Sequence, residues 1–137
     1  MSTHPRFEVS ATVLDAPDPR ALADFYQRLL GWAIDQSEPD WVMLKPPNGG
    51  AGLSFQQESI YVRPVWPAEP GEQQMMSHLD IAVDDLEVAV AWAMEAGAVQ
   101  ADHQPQDDVR VMLDPAGHPF CLFLQDTWDW VPQPRWS

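Results

Sequence analysis

A chain of 137 residues with a formal net charge of −14 and one cysteine has the size of one compact domain, or of two small halves sharing one core. Its acidity disfavours nucleic acid and anionic membranes as partners, and the lone Cys121 excludes an internal disulfide and fits a reducing cytoplasm. No basic, apolar N-terminal stretch and no run of about 18 apolar residues occurs, so neither a signal peptide nor a membrane span is expected.

After a short lead, Val9 to Ala16 is a strand candidate. Asp18-Pro19 suits a helix start, since Asp accepts free backbone N–H groups and Pro fits the first helical position. Leu22, Phe25, Tyr26, Leu29 and Leu30 follow at helical spacing, and Gly31 ends the run. Trp41 to Leu44 is strand-like, Pro46 to Gly50 is a turn cluster, and Gly52 to Gln57 is a second strand. Ser59 to Val65 is read as a further strand. A proline-rich connection, 64–77, carries Trp66, Met75 and Met76. Then the order repeats. His78 to Val83 is a strand, and Asp84 or Asp85 caps a helix bearing Leu86, Ala89, Val90, Ala93 and Met94, with Gly97 behind it. A short strand near 98–101, strands at Val109 to Leu113 and Phe120 to Gln125, and a turn at Asp114 to Gly117 complete it. The tail holds Trp128, Trp130 and Trp136.

The two series superpose at an offset of 67 residues. Asp18 falls on Asp85, Leu14 on Ile81, Val42 on Val109, Leu44 on Val111, Leu53 on Phe120 and Phe55 on Leu122. The expected fold is therefore α+β, with two βαβββ modules whose curved mixed sheets line a shared cavity. Module 1 spans about 7–63, the linker 64–77, module 2 about 78–125 and the tail 126–137.

Strand alternation sorts the side chains. Leu14, Val42, Leu44, Leu53, Phe55, Ile81, Val83, Val109, Val111, Leu122 and Leu124 are expected to face the helices. The alternates then face the cavity. Trp41, Met43, Met112 and Phe123 would form its walls. Ser54, Gln56, His78, Asp80, Arg110 and Cys121 would supply its polar atoms, and Trp66 would cross its mouth. His78 and Asp80 share a face, so the carboxylate can orient the imidazole for general-base work. Cys121 reads first as a small core thiol. Arg110 can anchor a carboxylate, and His118 reads as a turn residue.

The segments LDAPDPRALADFYQRLLGW, WPAEPGEQQMMSHLDIAVDDLEVAVAWAMEAGA and VRVMLDPAGHPFCLFL resemble the vicinal oxygen chelate superfamily, in particular its glyoxalase-like branch. That superfamily includes glyoxalases, extradiol dioxygenases and bleomycin-resistance proteins. The resemblance implies a homodimer and four metal-ligand positions, which fall here on Ala11, Ser54, His78 and Cys121. Ala11 has no donor atom and Ser54 is a poor one, so no metal and no cofactor is expected. What the resemblance then implies is a cytoplasmic protein binding an unidentified small molecule, for drug or metabolite sequestration. The alternative is a lyase, isomerase or dioxygenase-like enzyme using His78 with a metal or with Asp80.

Overall fold

The computed structural model describes residues 4–125; the tail tryptophans lie outside them. The first half runs β1 (Ala11–Ala16), α1 (Pro19–Leu30), β2 (Ala33–Glu38), β3 (Trp41–Lys45) and β4 (Gly52–Gln57). The second runs β5 (Leu79–Val83), α2 (Leu86–Ala96), β6 (Val99–Gln100), β7 (Val109–Leu113) and β8 (Pro119–Leu124). Each half makes one four-stranded mixed sheet, in the orders β1-β4-β3-β2 and β5-β8-β7-β6. The outer pairs β1/β4 and β5/β8 are parallel and the remaining pairs antiparallel. The doubled βαβββ pattern is thus present, and the two sheets do not close on each other.

The caps behave as the residue chemistry requires. The Asp18 carboxylate accepts from the backbone N–H groups of Arg20 and Ala21, and Asp85 does the same for Val88. Gly31 ends α1 at a left-handed φ of 72°. Both helices lie over one continuous apolar core. Tyr26 of α1 stacks on Phe55 at 5.6 Å and meets Phe120 of the other half at 6.1 Å, while Phe25 meets Phe120 at 6.0 Å. Neither half therefore buries its own face alone.

Two sequence expectations are corrected. No strand forms at 59–65; a turn at Glu58–Tyr61 and Pro64 break it. The missing strand is β2, whose AIDQSE sequence is mostly exposed and so gave no apolar alternation to read. The second correction concerns register. The 67-residue offset holds for β1/β5 and β4/β8, but Leu44 pairs with Leu53 whereas Met112, not Val111, pairs with Phe120. The offset from β3 to β7 is therefore 68. One residue of slip exchanges the two faces of a strand. Met112 is fully buried in the core, and Arg110, opposite Leu122, borders α2 beside Leu86, Glu87 and Val90. Val109 and Val111 take the opposite face, with Phe123 and Cys121.

Candidate functional site

The sheet face turned away from the helices carries two sets of predicted residues. In the first half, Val13, Ser54 and Met43 form one cross-strand row, and Asp15, Gln56 and Trp41 form the next. The Gln56 amide donates to Asp15 Oδ1 at 2.9 Å. In the second half, Asp80 lies opposite Cys121, and Ala82 opposite Phe123. His78, just before β5, places Nε2 2.9 Å from Asp80 Oδ1. The donor atoms of His78, Asp80 and Cys121 all lie within 4.8 Å of one another. Burial, and then the Asp80 charge, pushes the Cys121 thiol pKa up, so the free thiol keeps its proton. Arg110 and Met112 do not join this face. Trp66 donates its indole N–H to the His103 carbonyl at 3.2 Å and packs on that ring instead of standing free over a cavity.

A groove of about 400 Å³ opens between β1 and the connecting segment. Val13, Ile60, Val62, Met75 and Met76 give it apolar walls, and Asp15, Glu58, Tyr61 and His118 give it polar ones. Its described lining holds two carboxylates and no Lys or Arg. The segment is pinned to the second half by side chains. Tyr61 donates to the Ala116 carbonyl at 2.8 Å, and Arg63 Nη1 to the Pro115 carbonyl at 3.1 Å. The Arg63 chain also lies where a Cβ on Gly117 (φ 93°) would sit, so glycine is required there twice over.

Behind Tyr61 stands a buried polar network that sequence reasoning missed. The Asp114 carboxylate takes four donors: the Tyr26 hydroxyl at 2.8 Å, the backbone N–H groups of Ala116 and His118, and His118 Nδ1 at 2.9 Å. A carboxylate in this setting accepts, so Nδ1 carries the imidazole proton, and Nε2 faces the Tyr61 hydroxyl at 3.3 Å. Burial first, then Asp114, raises Tyr61 to a pKa of about 12, and the same causes raise Tyr26 well above its ordinary value. Both phenols are therefore hydrogen-bond donors at neutral pH. The signal available in the sequence was a core-facing Tyr26 that needed a partner for its hydroxyl.

The four-ligand metal centre that the resemblance implies does not fit these residues. Ala11 offers no donor, and Ser54 is completely buried with a hydroxyl that has no partner among the described residues. Ser54→Ala should accordingly raise the unfolding free energy by about 1 kcal/mol, since an unpaired buried hydroxyl costs more than a methyl. Urea denaturation measures it, and a loss of stability would mean that the hydroxyl is satisfied in solution.

The sequence model of the glyoxalase-like domain family matches residues 11–123. Among solved structures, the chain is similar to a glyoxalase/bleomycin resistance protein/dioxygenase family enzyme from Burkholderia phytofirmans PsJN. Identity is 19%, with 86% of this chain and 98% of that one covered at a TM-score of 0.66. A glyoxalase family protein from Enterococcus faecalis is 23% identical over 85% of this chain and 96% of that one, at a TM-score of 0.63. A possible glyoxalase from Bacillus cereus is 11% identical over 86% and 99%, at 0.64. At such identities the likeness is one of fold. No curated protein matches the chain.

Proposed function

The chain belongs to the glyoxalase-like domain family, and on that premise we propose that it is a small-molecule-binding protein whose ligand is an organic cation with an apolar body. The observation that carries this reading is the groove beneath the connecting segment: apolar walls, two carboxylates, the Tyr61 ring and no Lys or Arg in its described lining. Apolar walls with a few orienting polar groups are the ordinary make-up of a ligand site. Asp15 and Glu58 would attract a positive headgroup, Tyr61 would offer its ring face to it, and the methionines would adapt to the body. A net charge of −14 adds long-range attraction of the same sign. The pins from Tyr61 and Arg63 favour a groove formed before the ligand arrives. Sequestration is the matching role, in a cytoplasmic homodimer: the single cysteine is a free thiol, and β1 and β5 each keep one edge unpaired by any described strand.

Calorimetric titration with benzyltrimethylammonium and with its uncharged carbon isostere tests this. The cation should bind roughly tenfold more tightly, as expected for about 1.4 kcal/mol from two partly solvated carboxylates. Asp15→Asn with Glu58→Gln should abolish the preference. Equal binding of the isostere would refute the cationic class, and no binding of either at millimolar concentration would refute the groove as a ligand site. A second reading, a lyase or isomerase, draws on the His78–Asp80 contact at 2.9 Å, which would hold the imidazole for proton abstraction.

A further inference from the structure

We propose that the groove beneath the connecting segment selects a cation that still carries an N–H bond, a protonated amine and not a quaternary ammonium, with His118 Nε2 as the acceptor that makes the choice; this rests on the cationic-ligand reading above. Asp114 is wholly buried and accepts from His118 Nδ1 at 2.9 Å, so the imidazole proton sits on Nδ1 and Nε2 offers a lone pair. Among the described residues, Tyr61 is the neighbour of Nε2, with its hydroxyl 3.3 Å away. That hydroxyl has one proton and two claimants. The Ala116 carbonyl lies at 2.8 Å, the ordinary length for such a bond, and takes it. Nε2 therefore receives no proton from any described residue and remains an acceptor for a ligand.

The acceptor is reached from the groove. His118 and Tyr61 both line it, and the His118 side chain keeps 16% of its surface while Asp114, behind Nδ1, keeps none. The ring edge open to the groove is thus the one that carries Nε2. Asp15 and Glu58 line the same space, and each spends one oxygen on the protein: Asp15 Oδ1 accepts from the Gln56 amide and Glu58 Oε1 from the Ile60 N–H at 3.2 Å. The second oxygen of each is left to face a positive charge. A protonated tertiary amine meets both demands at once: its charge faces the carboxylates and its single N–H points at Nε2. Its apolar body then lies along Ile60, Val62 and the methionines. A quaternary ammonium brings the same charge but no proton, and would press methyl groups against an acceptor that had been hydrated. Leaving such an acceptor dry is what makes a polar site reject a ligand that lacks the matching donor.

Calorimetric titration of the full chain at neutral pH compares benzyldimethylammonium with benzyltrimethylammonium, which differ by a proton in place of a methyl. The N–H cation should bind about tenfold more tightly, the scale of one charge-assisted hydrogen bond. His118→Asn should bring the two affinities to within about twofold, because the replacement amide can still donate to Asp114 but has no counterpart of Nε2. Long-range proton–nitrogen NMR of the unsubstituted chain reads the same group without relying on a variant. His118 Nε2 should resonate as an unprotonated ring nitrogen, and benzyldimethylammonium alone should shift it. Equal affinities in the unsubstituted chain, a preference that survives His118→Asn, or a proton already on Nε2 in the free protein would each overturn the inference and leave a cation-binding groove standing. Binding of neither cation would remove the groove reading and this one together.

Discussion

Replacing Asp114 with alanine should lower the unfolding free energy by roughly 3–5 kcal/mol, the range for removing one member of a buried charged network. The substitution deletes the acceptor for four donors at once and strands the hydroxyl of the fully buried Tyr26. Tyr26→Phe, which removes a single bond to the same carboxylate, should cost about 1.5–3 kcal/mol. In the Asp114→Ala background that second change should be nearly neutral, because its partner is already gone. Urea denaturation of the four proteins closes the cycle, and additive losses would show that the two groups act independently. The consequence reaches the groove. Asp114 holds His118, whose Nε2 faces Tyr61, so Asp114→Ala should also weaken cation binding without touching a carboxylate of the site.

Phe120→Ala should cost roughly 3–5 kcal/mol as well, for a different reason: it empties a ring-sized volume in a core that does not collapse fully. Phe120 belongs to the second half, but its nearest rings, Phe25 and Tyr26, belong to the first. The loss should therefore appear as a single transition, with helix content by circular dichroism and the fluorescence of Trp32 and Trp92 moving together. Two separated transitions, only one of them shifted, would mean that the halves fold independently.

The fold was legible wherever a local rule had a distinct residue behind it. Asp18 and Asp85 announced the helix starts, Gly31 and Gly97 their ends, and the recurrence of apolar strands gave the doubled architecture. β2 was not legible, because an exposed edge strand has no buried face to write into its sequence. The facing of β7 was not legible either. VRVML is apolar at three alternate positions, yet the packed partner of Phe120 is the intervening Met112, and only pairing decides that. Of the candidate site, His78, Asp80 and Cys121 were placed on a common face correctly, because β5 and β8 kept the expected register. The groove under the connecting segment could not be read in advance. Its lining joins β1 to residues beyond β4 and before β5 through the contacts of Tyr61 and Arg63 with the Asp114 turn, and those contacts carry no periodic signature.

The extra residue ahead of β7 has a consequence for interchange of the two halves. A chimaera that copied the front sheet onto the back at constant spacing would seat Val42 and Leu44 at positions 109 and 111, on the wrong side of the blade, and leave the space beside Phe120 to the lysine copied from Lys45. The likeness of the halves is thus one of backbone path and not of exchangeable parts, and any symmetrised redesign must delete a residue between α2 and β7 and restore one between β7 and β8 before it copies a side chain.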